Sequence, residues 1–91
     1  MARQLVRSTT SVAANYAEAC DAESRPDFVH KMRIALKEAR EASIWIGTAR
    51  GLRPSPRLDR LAAECNELIA IFVSSVKTAQ SRGMNNQKSQ I

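Results

Sequence analysis

Helix breakers are few in this chain, and their positions constrain its fold more than any other feature. Three prolines and three glycines are spread over 91 residues. Pro26 stands alone, Gly47, Gly51, Pro54 and Pro56 lie close together, and Gly83 is near the end. The long uninterrupted stretches between them read as long helices joined by few turns. The first segment runs from about residue 2 to 22. In it Leu5, Val12, Tyr16 and Ala19 fall on one side at helical spacing, and Val6, Ala13 and Cys20 widen the stripe. The second, about 25–50, opens with Ser24-Arg-Pro-Asp27: a serine able to cap free N–H groups, a proline in the first turn and an acid at the positive end of the dipole. Phe28, Met32, Ala35, Leu36, Ala39, Ala42, Ile46 and Ala49 mark its core side, and the alanines call for a close neighbour. Gly51 is expected just past the helix end, with Leu52 making the contact that follows.

Ser55-Pro56 starts the third segment, about 56–82, which has the strongest periodicity. Leu58, Leu61, Cys65, Leu68, Phe72, Ser75 and Ala79 follow a heptad spacing broadened by Ala62, Ile69 and Val76. Residues 84–91 have no pattern and read as a disordered tail beyond a single domain, 1–83. Short loops between long helices predict an all-α, antiparallel, up-down bundle.

Composition sets limits on function. The chain is large enough for one modest core. Its net charge of +5 comes mainly from arginine, a fixed fork-shaped donor suited to phosphate or carboxylate. The longest apolar run, Leu68 to Val73, is far too short to span a membrane, so no membrane role is expected. The N-terminal residues form no apolar signal segment. Two cysteines in such a chain suggest reduced thiols and a cytoplasmic protein. Axial heights at ~1.5 Å per residue place Cys20 and Cys65 on the order of 10 Å apart, too far for a disulfide. Both read as buried small hydrophobes.

Chemistry is sparse. One histidine, His30, and two separated cysteines do not make a metal site, and no glycine-rich phosphate loop exists. Hydroxyls in helices usually bond to the preceding turn rather than serve as nucleophiles. Glu38 and Glu41 share a helix face, and axial heights set them opposite Arg7, which reads as ion pairing rather than acid–base catalysis. Asn15 and Glu18 fall near Lys31 by the same estimate. No catalytic residue, cofactor or metal is therefore expected. Arg50, Arg53, Arg57 and Arg60 surround the second loop with Asp59 as the one acid among them, and Arg3 is assigned to the same end. Such a patch can bind RNA or DNA through counterion release. The plainer reading is that these arginines cover helix stems and complement a helix C-terminus. No aromatic is interleaved, so base stacking is not indicated.

Three blocks, QLVRSTTSVAANYAEAC, DFVHKMRIALKEAREASIWI and LDRLAAECNELIAIFVSSVKTA, resemble the four-helix-bundle proteins encoded in intervening sequences of bacterial 23S rRNA genes. The shared pattern is roughly Q-L-x-R-S-x-x-S-(I/V)-x-x-N-x-x-E-A, then D-F-x-x-K-x-x-I-A-x-K-E-A-x-E, then an apolar segment with a C-x-E-L step. The resemblance covers nearly everything from Gln4 to Ala79. It extends to the accessory variability determinant proteins of diversity-generating retroelements. It implies a bundle of the four-helix type, here with three long helices and the usual N-terminal helix missing. It also implies a homo-oligomeric ring such as a pentamer, nucleic acid as a partner, and a partner protein such as a reverse transcriptase. The motif positions carried over are Arg7, Ser11, Asn15 and Glu18 in the first block and Lys31, Glu38 and Glu41 in the second. They read as a polar seam between helices. Two functions are expected: a non-enzymatic homo-oligomeric bundle with an arginine-rich end for RNA or DNA, or an adaptor whose exposed apolar groove holds a partner's helix.

Overall fold

In the computed structural model of the chain, the backbone of residues 2–89 and the side chains of residues 2–82 are described, and they form three helices and no strand. They are α1 (Ala2–Cys20), α2 (Arg25–Leu52) and α3 (Pro56–Ser89). Local chemistry accounts for the starts. The Ser24 hydroxyl accepts a hydrogen bond from the Asp27 N–H at 3.2 Å, with Pro26 in the first turn of α2. Ser55 does the same for the Leu58 N–H at 3.1 Å ahead of α3.

The helix ends differ from expectation. α2 continues through Gly51 to Leu52, and no described residue has positive φ. Gly51 is therefore an interior helical residue and not the left-handed terminator, and Leu52 is 72% exposed instead of folding back. The stop falls at Arg53, in extended backbone at φ −152°, whose N–H still donates to the Ala49 carbonyl at 2.9 Å. The cause is Pro54, because the residue before a proline is disfavoured in helical conformation. α3 does not stop near Arg82-Gly83 either. It runs on to Ser89, so residues 84–89 of the expected disordered tail are helical, while Gln90 and Ile91 lie outside the described residues. A lone glycine costs about 1 kcal/mol in a helix, and no proline follows to end the ladder.

α2 is the central element. It packs against both other helices, whereas among the described residues no Cα of α1 comes within 8 Å of a Cα of α3. The result is a shallow slab, 57 × 19 × 14 Å. The core joins Val12 and Ala19 of α1, Met32, Ala35 and Ala39 of α2, and Phe72 and Val76 of α3. Met32 and Phe72, each about 2% exposed or less, are the largest side chains in it, and burial of a side chain of that size contributes about 1.5–3 kcal/mol. Ala35, Ala39 and Ala42 are small enough for close approach, and so is Ser8 of α1, which is completely buried.

Packing is uneven along α3. Phe72, Val76 and Ala79 are buried, but Leu61 and Leu68, on the same expected heptad face, stay exposed. Cys20, expected in the core, is instead exposed. It is the last residue of α1 and lies one turn beyond the exposed Tyr16, whose pKa it raises, rather than on the side of the buried Ala19. Cys65 is half-buried; its thiol donates to the Ala39 carbonyl, and burial pushes its pKa up.

Candidate interaction surfaces

The seam between α1 and α2 is made of ion pairs. Arg7 donates to the Glu41 carboxylate and lies 3.5 Å from Glu38 Oε2. Glu18 pairs with Lys31 at 2.9 Å. The hydrogen bond from Arg7 is the main cause that holds the Glu41 pKa below its usual value, and the same bond raises that of Arg7. Glu18 raises Lys31 in the same way. Glu38 Oε2 and the Trp45 indole N–H are buried without a partner at hydrogen-bond geometry, although the indole also helps to lower Glu41. Ser11 and Asn15 do not bridge to α2. The Asn15 amide donates to the Ser11 carbonyl at 2.8 Å and to its hydroxyl at 3.3 Å, which closes a loop of bonds inside α1.

The arginine-rich end is smaller than the sequence suggests. Arg50 is held by Asp59, with both Nε and Nη2 at 3.0 Å from one carboxylate oxygen. Arg53, Arg57 and Arg60 are exposed and form no ion pair among the described residues. Arg3 is exposed too, but Arg7 stands level with Glu38 and Glu41, which puts Arg3 on the order of 10 Å along the axis from Arg50. The free cations at this end are therefore Arg53, Arg57 and Arg60.

Sequence reasoning passed over Arg33, Lys37 and Arg40, which form an exposed row on α2. Their i, i+4, i+7 spacing was the available signal.

The separation of α1 from α3 leaves a groove of about 880 Å³ above α2. Its floor is Ala39, Ala42 and Ile46. The α1 wall carries Val6 and Tyr16, and the α3 wall Leu61, Leu68 and Ile71. Those five wall residues are exposed, with Val6 at 65% and Ile71 at 58%. Tyr16 and Phe72 stack across the groove at 5.8 Å between ring centroids. Glu64 is the one charged residue in the lining.

These features define an all-α protein with a charged seam on one side of its central helix and an open apolar groove above it. Among the described residues no three His, Cys, Asp or Glu side chains converge as metal ligands, and no helix is long and apolar enough to cross a membrane. The chain belongs to the 23S rRNA-intervening sequence protein family, whose model matches residues 1–74. It is also similar to a solved structure from Bacteroides thetaiotaomicron, a protein with unknown function from the S23 ribosomal protein family. The two are 35% identical with a TM-score of 0.76, over 82% of this chain and 71% of that chain. No curated protein matches.

Proposed function

We propose that this is a non-enzymatic cytoplasmic protein that works by assembly, as a homo-oligomer whose arginine-rich end holds RNA or DNA. The observation that carries this reading is the groove. Five large apolar side chains are exposed along its walls, and contiguous apolar exposure of this kind marks interaction surfaces. On this reading the three helices take three positions of an antiparallel four-helix bundle, and a helix from another copy fills the fourth. Arg53, Arg57 and Arg60 supply the phosphate contacts.

Light scattering on the purified chain tests the assembly. A mass that is a multiple of 10.1 kDa is expected, and its value distinguishes a dimer from a ring of five. Leu68→Glu with Ile71→Glu should return the chain to a folded monomer, because both side chains are exposed in the single chain. A monomeric native chain, or a variant of unchanged mass, would overturn the assembly reading.

The length of the groove favours a second reading. Leu61 to Phe72 spans about 16 Å, three helical turns, above an alanine-lined floor. That is the size of one amphipathic helix, so an adaptor that holds a partner protein's helix is the alternative. A native monomer that binds such a peptide, and loses it with Leu68→Glu, would select it.

A further inference from the structure

The side of α2 that faces away from the groove has its own pattern. Arg33, Lys37 and Arg40 are exposed at i, i+4 and i+7, and His30 lies one turn earlier. At 100° per residue this row lies roughly half a turn around the helix from Ala39, Ala42 and Ile46. None of the three cations makes an ion pair among the described residues. Neither Arg33 nor Arg40 has an acid three or four residues away in either direction. Like charges at this spacing disfavour a helix, so Arg33 and Arg40 work against α2 stability and call for an outside counter-charge, whereas Lys37 has Glu41 one turn on. The carboxylates of α2 are mostly engaged elsewhere: Glu38 and Glu41 turn to Arg7, with Lys37 one turn before Glu41 also helping to lower its pKa, and Asp27 lies in the capped first turn.

Beyond Arg40 the same face carries Ile44, Gly47, Thr48 and Gly51, all exposed. A Cβ at either glycine would meet nothing within 4 Å, so the surface is low and open there. The chain then reaches Arg53 and the arginine-rich end, on the order of 30 Å from Arg33 along the axis.

We infer that this face of α2 is a track for the phosphate backbone of a double-stranded nucleic acid, continuous with the arginine-rich end; the inference rests on the nucleic-acid reading above. The chemistry favours backbone over bases because no aromatic lies on the face. Tyr16 and Phe72 stack together at the groove, and Phe28 and Trp45 are half-buried. It favours a duplex over a lipid surface because Ile44 is the one large apolar side chain between Arg33 and Gly51 on this face. The track and the groove lie on opposite sides of α2, so both can be occupied together.

The test measures binding of the full chain to 20-base-pair DNA and RNA duplexes by fluorescence anisotropy between 50 and 200 mM salt. Two triple variants are compared, Arg33→Gln/Lys37→Gln/Arg40→Gln and Arg53→Gln/Arg57→Gln/Arg60→Gln. Circular dichroism and light scattering check that fold and mass are retained. The first variant should weaken DNA binding at least tenfold at 100 mM salt and reduce the log–log salt slope by about 2–3, near 0.9 for each phosphate that is no longer neutralised. Arg33→Gln alone, the mildest change, should reduce the slope by about 1. If the α2 variant binds as the native chain does while the loop variant loses binding, the track is wrong and the arginine-rich end stands. Failure of the native chain to bind either duplex removes both. Tighter binding of a single strand than of a duplex, or binding to phosphatidylserine vesicles but not to duplexes, also overturns the track.

Discussion

Arg7 shows how much one side chain can organise in so small a fold. It reaches from an exposed position on α1 to two carboxylates of α2 and so sets the register between the helices. Because folding lowers the Glu41 pKa, the unfolded chain binds the proton more tightly than the folded one. The contribution of Glu41 is therefore complete above its ordinary value of 4.5 and is lost as pH falls towards its lowered value. Thermal melts between pH 3 and 7 check this. Glu41→Gln should lower the melting temperature at pH 7 and flatten the decline on the acid side, and parallel profiles for the two proteins would show that the pair does not contribute. The pairing was legible in the sequence, since axial heights and the shared face of Glu38 and Glu41 point to Arg7. The internal turn of Asn15 towards Ser11 was not, because a polar residue at helical spacing bonds equally well within its own helix or across to another.

Among the elements, the helix starts were read more accurately than the ends. Ser24 and Ser55 cap as their sequence contexts require, because capping depends on the next three residues alone. The stops at Gly51 and Gly83 were misplaced, since a glycine permits a left-handed turn without imposing one, whereas Pro54 acts through steric exclusion. An exposed apolar groove was expected, but that Leu61 and Leu68 would stand in it was not legible, because a heptad shows which face is apolar but not where a neighbour covers it. Gly47 and Gly51 lead to a prediction at this scale. Both lie inside α2 with open space at the Cβ position, so Gly47→Ala and Gly51→Ala should each stabilise the fold by about 0.5–1 kcal/mol. Urea denaturation measures it, and a destabilised variant would mean that the backbone there is not the regular helix described.

At the scale of the whole molecule, α2 is a shared support, with α1 and α3 held mainly through it. This arrangement has a kinetic consequence. Either outer helix can detach while the other stays packed, so opening should proceed in separate steps with distinct free energies. Amides in the middle of α2, around Met32 to Ala39, should exchange with solvent most slowly, at rates set by complete unfolding. Those of α1, a shorter helix with one packed side, should exchange sooner and independently of α3. Hydrogen exchange followed by mass spectrometry would resolve the order, and uniform protection across all three helices would contradict it. A chain built this way releases its flanks before its centre, and the first segment to leave would be the one that carries Arg7 and one wall of the groove.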